Sequence, residues 1–266
     1  MKKTLIALTV AASAAVSGSA MAWTVNGTGG SVDLGGTLTP TEVTFPWEVQ
    51  VGSAVNDLNA NVLAGETQID LHVNKAIPVL GIRTTSSSVF NGKVGLTPQI
   101  SYGDSNSTVD LNSFSAGVTS LSMKIFNASS NEELGQLVVP FTAVAESSWN
   151  NALKNTKGRK SLFADAEGRA FFGGLAKNVE GSVKGPQVWD IATALNSDIG
   201  EHYQDQGANL ATNAATDSFG SENITYSGYY SSGIQAGSVA KITLNSPASG
   251  GSINWKANLP VVVSYL

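Results

Sequence analysis

The chain has 266 residues, 42% hydrophobic and only 13% charged, with a formal net charge of −5, two histidines and no cysteine. That composition excludes a disordered chain and disfavours a phosphate-binding surface, so no nucleic-acid partner is expected. It also removes disulfides, thiolate zinc sites and cysteine nucleophiles, and nearly removes any multi-histidine metal site, while leaving enough apolar material for one large domain or two.

Residues 1–22 read as a signal peptide. Lys2 and Lys3 form a short basic start, Leu5 to Val16 an apolar run too short to span a bilayer, and Ala20-Met21-Ala22 a small–x–small cleavage site before Trp23. No later stretch is apolar for long enough to be a membrane helix, so export is expected. Next, residues 26–38 alternate with little bulk and much glycine. Gly30, Val32, Leu34, Gly36 and Leu38 share one face, and Ser31, Asp33, Gly35 and Thr37 the other. Such a segment reads either as a weak first strand or loose N-terminus, or as an arm that adds a strand to another subunit's sheet edge.

Period-two patterning then takes over. Val43, Phe45, Trp47, Val49 and Val51 fall on one face of an extended segment, and Ile69, Leu71 and Val73 repeat the pattern with His72 on the outer face. An apolar run from Ile77 to Ile82 follows, then Leu121, Met123 and Ile125, and then Leu137 to Val144. The chain ends with Val239, Ile242 and Leu244, then Leu259, Val261, Val263 and Tyr265. Gly-, Asn- and Ser-rich runs at 103–108 and 246–252 supply turns. Short strands with regular turn signals predict an antiparallel sandwich or barrel.

The middle differs. From about residue 145 to 222 the alternation fades, Glu146 to Lys154 is compatible with a helix, and Pro186 can open another in which Val188, Ile191 and Leu195 share a face, ending near Gly200. This stretch reads as an insertion carried by the sandwich, a common place for binding function.

No catalytic motif is present: no nucleophile elbow, phosphate loop, dinucleotide fingerprint or zinc-protease helix, so no cofactor and no catalytic residue is assigned. Asp104 to Asp110 resembles the start of a calcium loop, but Val109 replaces the required glycine and Ser115 the terminal glutamate, so it reads as a solvated turn. Asp198, Glu201, His202 and Asp205 gather past the predicted helix and read as a charged, exposed terminus. Sugars are held by aromatic stacking with polar groups around the ring. Within the insertion, Trp149, Lys154, Arg159, Trp189, His202 and Tyr203, together with Lys157 and Lys160, are the side chains of that kind. Each reads equally well as a structural residue. The basic cluster 154–160 suits an acidic sugar or an ordinary solvated loop, and the second is preferred.

Four features resemble the adhesive major subunits of K88-type chaperone–usher fimbriae: the leader MKKTLIALTVAASAAVSGSA, the start with Trp23 and GSVDLGGTLT at 30–39 followed by Trp47-Glu48-Val49, the segment SLFADAEGRAFFGGL at 161–175, and an alternating C-terminal strand with penultimate Tyr265. The resemblance spans essentially the whole chain and is most divergent over 176–235. It implies an all-β chain with a small helical insertion: an incomplete immunoglobulin-like β-sandwich completed by donor-strand exchange. Residues 23–40 would form the donor extension, and 41–266 the incomplete sandwich carrying the receptor-binding insertion 145–222. The donor would present Val32, Leu34, Gly36 and Leu38, and the acceptor groove would be bounded by the strand with Leu259, Val261, Val263 and Tyr265. The implied partners are a periplasmic chaperone, an outer-membrane usher, further copies of the chain in a surface fimbrium, and host glycoconjugates. A purely structural or capsule-like subunit is the alternative within this class, and an outer-membrane β-barrel the alternative outside it.

Overall fold

A computed structural model describes residues 25–26, 32, 34–39 and 44–266. The expected signal peptide 1–22, with Trp23, Gly30 and Val43, lies outside the described residues. The chain divides into two units, residues 1–43 and 44–266. In the first, the described residues form neither helix nor strand. In chain order the second contains β1 (Trp47–Val51), β2 (Gln68–His72), β3 (Ile77–Thr84), β4 (Phe90–Asn91), β5 (Pro98–Tyr102), β6 (Ser107–Val109), β7 (Val118–Asn127), β8 (Glu133–Asn151) and β9 (Thr156–Ser161). After these come α1 (Gln187–Leu195), β10 (Thr225–Ile234), β11 (Val239–Leu244), β12 (Trp255–Lys256) and β13 (Val261–Tyr265).

The organising element is β8, 19 residues long. Its first half pairs with β7 on one edge and β11 on the other, and its second half pairs with β9 and β10. β10 and β11 follow one another antiparallel along the same edge of β8, interrupted at Gln235–Ser238. Outward from there, β10 pairs with β3 and β3 with β1, while β11 pairs with β2. The path ends on two edges, β1 and β2, without closing into a barrel. A second, two-stranded sheet joins β13 to β5. Hairpin tips rely on asparagine: Asn127 Oδ1 accepts from the N–H of Ser129 and Ser130 between β7 and β8, and Asn151 Oδ1 from that of Lys154 between β8 and β9. These side chains mimic a backbone turn.

Both halves of β8 face one main core. Leu121, Ile125, Leu137 and Val139 meet Leu80, Ile82, Phe141, Phe171 and Tyr230 there. Phe171 sits in the left-handed region at φ 61° and is fully buried, its ring stacked on Tyr230 at 5.4 Å. The strain of a bulky residue at positive φ is offset by that burial. Around it the segment 161–175 pins β5 to the body: Phe171 N–H donates to Pro98 O, and Ile100 N–H to Phe172 O, both at 2.8 Å.

The sandwich-like all-β fold agrees with the sequence reading, and α1 starts after Pro186 with Val188, Ala192 and Leu195 buried. Several local readings need correction. Glu146 to Lys154 is no helix. Through Asn151 it is the end of β8, because β9 and β10 hold both its edges, and pairing across the sheet overrides local preference. The helix stops at Leu195 rather than near Gly200, with Asn196 extended. In β11 the buried face is Ala240, Ile242 and Leu244, so Val239 is out of phase. The turn expected at 103–108 is shorter, because β6 begins at Ser107.

Trp47 ties β1 to this core. It is 6% exposed, its Nε1–H donates to Leu96 O at 2.7 Å, and its ring meets Phe90, Phe171 and Phe219. Trp47→Ala is expected to cost about 3–5 kcal/mol in urea unfolding. Trp47→Phe should recover most of that and leave the remainder of the loss to the unpaired Leu96 carbonyl.

Candidate functional site

The period-two pattern of β1 puts Trp47, Val49 and Val51 on the inward face, yet cover runs out along it. Exposure rises from 6% at Trp47 to 42% at Val49 and 59% at Val51. The C-terminal segment behaves alike: Trp255, Ala257, Leu259, Val261, Val263 and Tyr265 alternate inward and pack on the core, but all remain half-buried. A strand face that points into a sandwich and stays half-exposed lacks a neighbour above it. The space is a groove of about 1070 Å³ lined by Val51, Val73, Ile77, Val79, Leu259 and Val261, among others.

The backbone tells the same story. β13 has one partner, β5, among the described residues. Leu266 and Thr97 exchange both N–H···O bonds at 3.0 Å, and Gly103 N–H donates to Pro260 O at 2.9 Å. Antiparallel alternation then points the N–H groups of Val261, Val263 and Tyr265 away from β5, along the free edge. β1 likewise pairs only with β3 among the described residues. Val51 at the end of β1 and Val261 at the start of β13 line the groove, while Phe45 and Tyr265, at the other ends of these segments, touch with ring centroids 4.7 Å apart. β1 and β13 thus run in opposite senses, each with an unpaired edge. Such an edge is a template for another strand. In the first unit, Val32, Leu34 and Leu38 are 83%, 94% and 97% exposed, and Gly36 has no side chain to fill the space around it.

Residues 145–222 are held down by buried charge. Glu146 is fully buried, where an unpaired carboxylate would be prohibitively costly. Arg159 donates to it from Nε and, at 3.4 Å, from Nη2, Tyr203 donates its hydroxyl at 2.6 Å, and Tyr229 at 3.0 Å. Arg159 also lies 5.7 Å over the Tyr203 ring. The bond to Glu146 raises the Arg159 pKa, and burial followed by the Glu146 charge pushes both phenols well above their ordinary value. A second clamp joins Arg83 to Glu48 at 2.5 Å, Glu201 at 3.2 Å and Asp198 at 3.7 Å, with His202 Nδ1 2.7 Å from Thr84 O. The predicted charged terminus is therefore tied onto β1 and β3, with Asp198 and His202 half-buried and Glu201 and Asp205 exposed. Asp205 stands apart from it and accepts from Gly207 N–H.

This geometry separates the sugar-binding candidates. Trp149 is half-buried over Gly158, where any Cβ would strike the indole at 2.6 Å. Arg159, Tyr203 and His202 are engaged in the clamps. The basic run is not a solvated loop: Lys157 donates to Gln206 O, and Lys160 to Thr216 O while pairing with Asp217 at 3.2 Å. Lys154 stays exposed at the hairpin tip. Trp189 is 36% exposed, seated on Gly200, which has no room for a Cβ, and edged by Tyr229. The sequence reading misses Glu146 as the centre of the region. Its one sequence signal is a lone acid at the end of the apolar run Leu137–Ala145.

The chain is similar to fimbrial proteins along its full length. The K88 fimbrial family, described as fimbrial, major and minor subunit, matches residues 1–266. K88 fimbrial protein AD of Escherichia coli is 31% identical over 299 aligned positions covering all of both chains. K88 fimbrial protein AB of the same organism is 29% identical over 298 positions and the F41 fimbrial protein 29% over 289, again covering all of each chain.

All six tyrosines are shifted upward, with burial the first cause in each. Below the ordinary phenol value of about 10 both folded and unfolded states are protonated and their contribution is complete. Above it only the unfolded state ionises, so stability falls as pH rises. Tyrosinate absorbance is therefore expected to appear together with unfolding above about pH 10. A titration of most phenols near that value in a still-folded protein would contradict the buried network.

Proposed function

Because the chain belongs to the K88 fimbrial family, we propose that it is a major fimbrial subunit, exported through the periplasm and polymerised by donor-strand complementation. One observation carries this: the unpaired edges of β1 and β13, which meet at Val51 and Val261 a groove with an apolar floor. An extended segment laid there gains main-chain bonds from β13 and buries alternate side chains. Residues 23–40 are the donor extension of a second copy, and Val32, Leu34 and Leu38 supply the spacing, with Gly36 at a shallow point. Fully burying each apolar side chain contributes about 1.5–3 kcal/mol. A periplasmic chaperone covers the groove first, and the outer-membrane usher is where the next subunit replaces it. Donation is head-to-tail and does not close on itself, so the product is a fibre.

The second half of the proposal is adhesion to host glycans through the inserted region 145–222. Trp189 supports it as the exposed aromatic of the insertion, held rigidly on Gly200 and beside Tyr229. The engagement of Arg159 by Glu146 and of Lys160 by Asp217 favours a neutral sugar over an acidic one.

Val32→Asp and Leu34→Asp are expected to abolish fibres in electron micrographs of sheared surface material while chaperone-bound subunits persist. Normal fibres from both variants would falsify the donor register. On a glycan array, polymer of the unmodified chain is expected to bind at least one host glycan, weakened about tenfold or more by Trp189→Ala. Binding to none leaves a purely structural shaft.

A further inference from the structure

β1 ends where the chain turns away from β3. Gly52 N–H donates to Val79 O at 3.0 Å, and the next anchored groups are Leu63, bonded to Glu66, and Gly65, whose N–H donates to Ala248 O at 2.8 Å. Between them, residues 53–62 make no backbone hydrogen bond to another element among the described residues; Asn59 N–H to Asp57 O is purely local. Yet the segment lines the groove. Within it only Leu58 and Val62 are half-buried, and both pack on the main core, while Asn56, Asp57, Asn59 and Asn61 are exposed. It is a strap, tied at both ends and seated by two apolar side chains.

The floor beneath is sealed. Leu71, Leu121, Ile125 and Val139 border the groove but are each only 1% exposed, whereas Val51 on the rim is 59% exposed. A dry floor under an open rim needs apolar cover, and Leu58 and Val62 provide it without adding a strand to either edge.

We infer that residues 53–62 are a displaceable plug, which covers the groove floor in the unassembled subunit and is pushed aside by the extended arm of a second copy. The inference rests on the donor-strand reading. The competition is unequal by design: the strap brings two side chains and no ladder, whereas the arm brings Val32, Leu34 and Leu38 together with main-chain bonds to β13. A weakly seated plug protects the floor from water and still yields to a strand.

The absence of cysteine allows a direct test. Leu58→Cys places one thiol under the seated strap, and Asn59→Cys one on its exposed side. Each full-length variant is alkylated with a maleimide, with and without a peptide of residues 30–39, and retained peptide is measured by mass. The thiol of the Leu58→Cys variant is expected to react slowly alone and at least about tenfold faster with peptide bound, while that of the Asn59→Cys variant reacts quickly in both states. Retained peptide with unchanged slow reaction at position 58 overturns the plug. If no peptide is retained by either variant, the donor reading fails. The plug is then judged by Leu58→Asp, which must raise binding of an apolar fluorescent dye over the parent chain; equal dye binding overturns it.

Discussion

Everything distinctive about this chain follows from inward-facing apolar side chains that are only partly covered. Val49 and Val51 on one side, and Val261, Val263 and Tyr265 on the other, obey the alternation of a buried strand face and still meet solvent. A sandwich of this size could have closed with one more strand, which would bury these side chains and pair both free edges. Leaving that strand out leaves a stability deficit at two unpaired edges.

The rest of the molecule is built to tolerate the deficit. Away from the groove, β8 is paired on both edges along most of its length, and the aromatic cluster around Trp47, Phe171, Phe219 and Tyr230 is almost completely buried. Glu146 and its partners Arg159, Tyr203 and Tyr229, with the Arg83 clamp, fasten the inserted region to that rigid half. Buried ion pairs seldom add net stability, but removing one partner is costly, so they specify a single seating for the insertion.

How much of this is legible in the sequence varies with the physics of each element. Strands with one wet face, such as Leu121-Met123-Ile125 and Leu259 to Tyr265, announce themselves by alternation. β10 does not: TYSGYYSSGI is buried on both faces, and its serines and tyrosines find partners only across the fold, as Tyr230 does with Tyr102. Glu146 to Lys154 reads as helical for the same reason, since Glu146 and Ser147 are satisfied by Arg159, Tyr203 and Asp217 rather than by water. Of the sugar-binding candidates, composition picks out aromatic and polar side chains within one region. Only the fold reveals that His202, Arg159 and Tyr203 serve internal clamps, while Trp189 keeps a free surface.

Strand donation requires the free edge of β13 to be unpaired in the lone subunit and paired in the polymer. Amide hydrogen exchange at Val261, Val263 and Tyr265, whose N–H groups point along that edge, tests it directly. Fast exchange in the isolated subunit, slowed by about a thousandfold or more in assembled fibres, is the expected result. Strong protection of these three amides already in the isolated subunit would mean that the fold closes by itself, and would contradict the account.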